Sequence, residues 1–193
     1  MKIKVGLLFG SFNPVHIGHM IVAGYMHQFT DLEKVWFVVS PENPLKDKHQ
    51  LLADHHRLMM LKTAIEDNPA LGVTDIEFKM PRPSYTIDTL TWLSERYPDY
   101  EFVVIAGTDI LGSLTRWKNY RVLLEFFKFY IYNRPGFDKG EFASHPSIRY
   151  FDAPLLDISS SFIRQAIAAG KDVRYMLPPR VWEYICEMHF YEK

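Results

Sequence analysis

Short apolar runs recur along this chain, separated by longer segments in which apolar residues return every three or four positions. The runs are Val5 to Phe9, Val35 to Val39, Phe102 to Ala106, Phe129 to Tyr132 and Ile148 to Phe151. Short unbroken runs of this kind suit strands covered on both faces. Val73 to Phe78 alternates instead and predicts one more strand. Between the runs lie helical patterns. Leu58, Leu61 and Ile65 mark one over 54–65, and Ile87, Leu90 and Leu93 mark another over 86–93. Further helices are predicted over 120–127, 160–169 and 178–189, the last with proline at its start and Val181, Ile185 and Met188 on one stripe. Alternating strands and helices predict an α/β fold: a Rossmann-like parallel sheet with helices on both faces. In such sheets ligands bind beyond the carboxyl ends of the strands, so the residues after each run are the ones to examine. No linker or repeat interrupts the pattern, and 193 residues predict a single domain, 1–193.

Composition narrows the function classes. Hydrophobic residues make up 48% and charged residues 23%, which is ordinary for a globular chain. The formal net charge of −1 argues against a broad nucleic-acid footprint, so any anion site must be local. One cysteine, Cys186, leaves no intramolecular disulfide; its place in the last helical pattern predicts packing. No apolar stretch reaches 18 residues and no signal-peptide pattern opens the chain, which predicts a cytoplasmic protein with no membrane partner.

The first run leads into Gly10-Ser11-Phe12-Asn13-Pro14-Val15-His16-Ile17-Gly18-His19. Asn13 followed by Pro14 predicts a helix cap and a first helical residue. A helix N-terminus offers unpaired N–H groups and a positive dipole end, both suited to phosphate. His16 and His19 stand three apart there. No third ligand lies nearby in sequence, so no metal is assigned to them. After the second run, Lys46 could supply a point charge to phosphate. Pro83-Ser84-Tyr85-Thr86 precedes a helix that Thr86 could cap. After the run Phe102 to Ala106 come Gly107 and Asp109, and an acidic residue there can accept a ribose hydroxyl. Trp117 beyond it offers a ring face. Ile158-Ser159-Ser160-Ser161-Phe162-Ile163-Arg164 opens a helix with hydroxyls, N–H groups and a guanidinium, a second anion cradle. Two cradles on neighbouring strands would grip a polyphosphate from both sides. Each residue also has a plainer reading: a surface lysine at 46, helix caps at Thr86 and Asp109, core packing at Trp117. Spacing does not choose between them.

The stretches at 10–19 and 158–164 together resemble the HxGH nucleotidyltransferase superfamily. Class I aminoacyl-tRNA synthetases share the first signature, but a short, nearly neutral chain speaks against them. Ser-Tyr-Thr-Ile-Asp-Thr-Leu at 84–90, Gly-Thr-Asp-Ile-Leu at 107–111 with Trp117, and Pro-Pro-Arg-Val-Trp-Glu-Tyr-Ile at 178–185 make nearly the whole chain similar to bacterial nicotinate-nucleotide adenylyltransferases. The resemblance implies an enzyme of NAD biosynthesis that moves AMP from ATP to nicotinate mononucleotide. Its products would be deamido-NAD and pyrophosphate, with Mg²⁺ held mainly by ATP phosphates and water. It implies that Gly10, Ser11, Phe12, His16 and His19 meet the ATP phosphates, with Ser161, Arg164 and Lys46 on the same charge. Segment 159–193 would complete that ATP site. Gly107 and Asp109 would meet the adenosine ribose, and Tyr85, Thr86 and Trp117 the nicotinate. The expected partners are the two substrates, with a homo-oligomer left open. Family members often carry Asp where Asn13 stands and His where Leu45 stands. The rival readings are the same chemistry on nicotinamide mononucleotide or phosphopantetheine, and a non-catalytic nucleotide-binding module.

Overall fold

In the computed structural model, which describes residues 2–41 and 51–192, the apolar runs form strands β1 (Ile3–Gly10), β2 (Lys34–Val39), β3 (Leu71–Thr74), β4 (Tyr100–Gly107), β5 (Lys128–Tyr132) and β6 (Ile148–Phe151). The helices are α1 (Ile17–Phe29), α2 (Asp54–Ile65), α3 (Thr86–Arg96), α4 (Leu111–Leu114), α5 (Tyr120–Phe126), α6 (Ser160–Ala168) and α7 (Pro179–Glu187). Among the described residues the strands make one six-stranded sheet, ordered β3-β2-β1-β4-β5-β6, with every neighbouring pair parallel.

The unbroken apolar runs have a direct cause. Successive strand residues point to opposite faces, and both faces are covered. Val103 and Ile105 of β4 join a core built with Val22 and Met26 of α1, Met60 and Leu61 of α2, Ile163 of α6 and Val181 of α7. Phe102 and Val104 join the other core, with Leu90 and Leu93 of α3, Leu114 of α4 and Leu123 of α5. The chain order reverses beside β1, whose neighbours are β2 and β4. That places the ligand crevice at the carboxyl ends of β1 and β4, where Gly10 and Gly107 lie. No helix among the described residues is long and apolar enough to cross a membrane.

Several expectations are corrected. The alternating segment 73–78 is not one strand: β3 stops at Thr74, and Ile76–Lys79 coil into a 3₁₀ turn that buries Ile76 and Glu77 together. Helix α1 starts at Ile17 with His16 in the cap position, so Asn13 and Pro14 belong to the turn before it. The stripe on α7 ends at Ile185; Cys186 is exposed, and Met188 is 41% exposed beyond the helix end. Helix α6 follows the edge strand β6, not a neighbour of β1, and the chain returns across the sheet before it begins.

One buried cation joins the strand ends to the helices. Arg57 of α2 has no exposed surface. Its Nε donates to the Leu52 carbonyl at 3.0 Å, and Nη1 donates to those of Ser11 at 2.6 Å and Ser40 at 2.8 Å. Its Nη2 donates to the Pro41 carbonyl at 3.2 Å and to Asp54 Oδ1 at 2.5 Å. A guanidinium has five N–H donors, and here each finds an acceptor. Burial pulls this group below the ordinary arginine range, and the Asp54 carboxylate opposes that shift. Asp54 also pairs with Arg82 at 3.0 Å, which carries the tie to the segment before α3.

Arg57→Ala is expected to cost about 4 kcal/mol of unfolding free energy, because it strands four carbonyls and leaves Asp54 with Arg82 as its remaining cation among the described residues. Arg57→Lys should recover little of this, since one ammonium cannot reproduce the planar fork. Urea unfolding curves check both; a lysine variant within about 1 kcal/mol of the parent would contradict the five-contact account.

Candidate active site

The turn after β1 is shaped by close packing. A Cβ on Gly10 would stand 2.9 Å from the Phe12 ring, so only glycine lets that ring fold beneath the strand end. Phe12 itself has a left-handed backbone, φ 45°, and is buried. Its ring meets His19 edge-on at 5.1 Å and Phe37 at 5.4 Å. Two aromatic contacts thus hold a conformation that phenylalanine rarely adopts.

His16 and His19 lie together at the start of α1, their rings stacked with centroids 3.7 Å apart. The His16 backbone N–H donates to His19 Nδ1 at 3.2 Å. That commits Nδ1 as acceptor and puts the proton of the neutral ring on Nε2. His16 is 6% exposed, and among the described residues its Nδ1 has no hydrogen-bond partner. Burial pushes its pKa down to about 4, so it is neutral near pH 7. The ring is thus held neutral and buried at the N-terminus of α1.

The second cradle closes on the first from the far end of the chain. Ser159 caps α6, its hydroxyl accepting from the Phe162 N–H at 3.1 Å. Ser160 Oγ donates to the Pro14 carbonyl at 2.9 Å, and Arg164 Nη1 donates to the Asn13 carbonyl at 2.9 Å. Arg164 Nη2 stands 3.4 Å from Ser161 Oγ. The two cradles expected on neighbouring strands are therefore one continuous structure, joined through the main chain of Asn13 and Pro14. Asn13 serves as a hub rather than a cap. It is 4% exposed, and its Oδ1 accepts from the Leu52 N–H at 3.2 Å and from Tyr191 Oη at 2.8 Å.

Gly107 ends β4 in a crowded place: a Cβ there would lie 2.4 Å from Asp109 Oδ1 and 2.6 Å from Arg134 Cδ. Asp109 is not a helix cap, the plainer reading of its position, but is paired with Arg134. Its Oδ2 accepts from Arg134 Nη1 at 2.8 Å, and Thr108 Oγ1 accepts from the Arg134 N–H at 2.8 Å. Thr86 is the first residue of α3, not its cap; Tyr85 holds that position without a side-chain bond. The approach to α3 is instead fixed by Glu77. This carboxylate is 3% exposed and accepts from Ser84 Oγ at 2.9 Å and Thr89 Oγ1 at 2.8 Å. Trp117 is half-buried against the core beneath α3, α4 and α5. Its neighbour Lys118 reaches Asp88 at 2.8 Å and lies 4.9 Å above the Tyr85 ring. Tyr85, Thr86 and Trp117 are thereby tied into one region. Lys46 lies outside the described residues. The described residues hold no group of three or more His, Cys, Asp or Glu that could hold a metal ion.

Sequence reasoning missed Arg57, Glu77, Lys118, Arg134 and Tyr191. Arg134 follows the run Phe129 to Tyr132, so the rule that sends attention beyond strand ends would have found it. Arg57 had a faint signal, its spacing of three from Asp54 on a helix. Tyr191 had none.

Comparison with known proteins gives a consistent picture. A family model described as cytidylyltransferase-like matches residues 7–166. A protein of Flavobacterium johnsoniae named a probable nicotinate-nucleotide adenylyltransferase is 49% identical over 192 residues, covering 98% of this chain and 100% of its own. A protein of the same name from Bacteroides thetaiotaomicron is 45% identical over 186 residues, covering 96% and 92%. Among solved structures, Plasmodium falciparum nicotinic acid mononucleotide adenylyltransferase complexed with NaAD superposes with a TM-score of 0.81 at 22% identity, covering 97% of each chain. At that identity it supports the fold.

The neutral His16 makes stability depend on pH. Its folded pKa of about 4 lies below the ordinary 6.5. The folded state therefore binds fewer protons, and its contribution is full above pH 6.5 and lost as pH falls toward 4. The expected loss by pH 4 is about 3 kcal/mol relative to a His16→Asn variant. Urea midpoints of both proteins between pH 7 and 4 measure it; parallel curves would contradict a buried neutral ring.

Proposed function

Because the chain belongs to the nicotinate-nucleotide adenylyltransferase family of cytidylyltransferase-like proteins, we propose that it transfers AMP from ATP to nicotinate mononucleotide, forming nicotinate adenine dinucleotide and pyrophosphate. The observation that carries this reading is the 49% identity to a relative of that name over its entire length. The geometry supports it with a donor-lined crevice at the strand-order reversal.

The reaction needs no activated side-chain nucleophile. A phosphate oxygen of the mononucleotide forms the new bond to the α-phosphorus. The bond from that phosphorus to the bridging oxygen of the β-phosphate breaks, and pyrophosphate leaves with the electron pair. Catalysis is then positioning plus stabilisation of charge moving onto the leaving group. His16 and the Nε2–H of His19 would donate to the phosphates beside the backbone of Gly10 to Phe12 and Ser11. Ser161 and Arg164 would hold the β and γ phosphates from the opposite side, with Lys46 on the same charge. Asp109, steadied by Arg134 through Oδ2, would accept from a ribose hydroxyl beside Gly107. The N–H groups opening α3 at Thr86 would receive the nicotinate carboxylate, with Tyr85 and Trp117 against the ring.

With no carboxylate cage among the described residues, Mg²⁺ fits as part of the substrate, MgATP, held by phosphate oxygens and water. There it screens the phosphate charge. The side chains named above act on the nucleotide itself.

Supplying nicotinate mononucleotide, nicotinamide mononucleotide and phosphopantetheine in turn with ATP, and measuring pyrophosphate release, tests the acceptor. The first is expected to give the highest kcat/KM, and preference for either other acceptor would overturn the assignment. Release with none would favour the non-catalytic module. Trp117→Ala is expected to raise KM for the mononucleotide about tenfold and leave KM for ATP within about twofold; equal shifts would remove the stacking role. Arg164→Ala and His19→Ala are expected to lower kcat about 100-fold or more, beyond any change in KM. Near-normal turnover would remove that residue from the catalytic set.

A further inference from the structure

Tyr191 approaches the nucleotide crevice from the opposite end of the sequence, and neither the fold nor the chemistry above requires it. Its Oη donates to Asn13 Oδ1 at 2.8 Å across 178 positions. Asn13 in turn is fixed on its other sides. Its Oδ1 also accepts from the Leu52 N–H, and its main-chain carbonyl accepts from Arg164. The next carbonyl, of Pro14, accepts from Ser160. Side-chain anchoring on one side and main-chain contacts on the other thus hold the same two residues.

The backbone around Tyr191 is arranged for this contact. His189 and Tyr191 both lie in the left-handed region, at φ 52° and 66°. Such conformations persist in bulky residues only where the surroundings over-determine them. Between them the Phe190 ring packs against His56 at 4.7 Å and Tyr184 at 5.7 Å. Burial holds the Tyr191 hydroxyl far above the ordinary tyrosine range, so it remains a donor throughout neutral pH. Its acceptor is a neutral carboxamide. The contact therefore adds no anion to the turn that Arg164 also holds.

We propose that Tyr191 is a positioning residue of the phosphate half of the site, holding the Asn13 carboxamide so that the turn after β1 presents its carbonyls to Arg164 and Ser160. The proposal rests on the adenylyltransferase reading for its kinetics, but not for nucleotide binding. The test is Tyr191→Phe in the full chain, which keeps the ring and removes only the hydroxyl. Calorimetric titration with MgATP alone is expected to show about fivefold weaker binding, the worth of one buried hydrogen bond. Pyrophosphate release should show kcat/KM for ATP falling by a similar factor, with KM for the mononucleotide unchanged. In an Asn13→Ala background the same substitution should have no further effect, since Tyr191 acts through Asn13. A lower melting temperature with unchanged ATP affinity and turnover would overturn the proposal and leave Tyr191 a packing residue. Independent, additive losses in the double variant would also overturn it. Should the parent bind ATP yet turn over no acceptor, the functional reading fails, and the ATP affinities still decide the role of Tyr191.

Discussion

A guanidinium with no contact to water sets the shape of this crevice. Taking such a charge out of water costs several kcal/mol unless its donors are all met. Here they are met by carbonyls from three separate segments: the turn after β1, the end of β2 and the approach to α2. Carbonyls at strand ends are themselves orphans, since the ladder has stopped. Each side thus satisfies the other, and the turn carrying the histidines cannot shift without stranding both. Through Asp54 the same network reaches Arg82 and the entry to α3. The turn after β1 and the entry to α3 are therefore coupled through one network.

The distribution of charge follows from this arrangement. Arg57 is spent on structure, and Asp109 and Arg134 neutralise one another. His16 is neutral and deeply buried. Around these neutralised groups the crevice is lined largely by oriented dipoles: the ends of α1 and α6 and the carbonyls and hydroxyls that join them. Preorganised dipoles need no rearrangement as charge moves during the reaction. A chain with a formal net charge of −1 can hold a strongly anionic ligand in this way.

The sheet was legible because burial on both faces leaves an unbroken apolar signature, and five of its strands stood where such runs occur. The motif residues of the two cradles were legible because their types and spacing are unusual. What escaped had a common physical cause. Asn13 and Pro14 carry the local marks of a helix start, yet tertiary hydrogen bonds from Leu52 and Tyr191 claim the Asn13 side chain first. Glu77 hid inside an alternating pattern that reads as a strand, although its burial comes from Ser84 and Thr89 later in the chain. Asp109 was visible and its partner was not, since their pairing depends on adjacent strand ends. Cys186 and Met188 continue an apolar count past the point where α7 leaves the core. Local sequence reports which groups a segment owns; it does not report which distant groups will claim them.

The joint between the cradles has a consequence for how the protein is made. Its hydrogen bonds from Ser160, Arg164 and Tyr191 to residues 13 and 14 span 146, 151 and 178 positions. A ribosome releases the histidine-bearing turn well before the closing helix. Until residues 160 to 191 emerge, the nascent chain carries the turn without the groups that fix it, so the joint forms only after them. A chain cut short before Ser160 would lack this joint however well its sheet had formed.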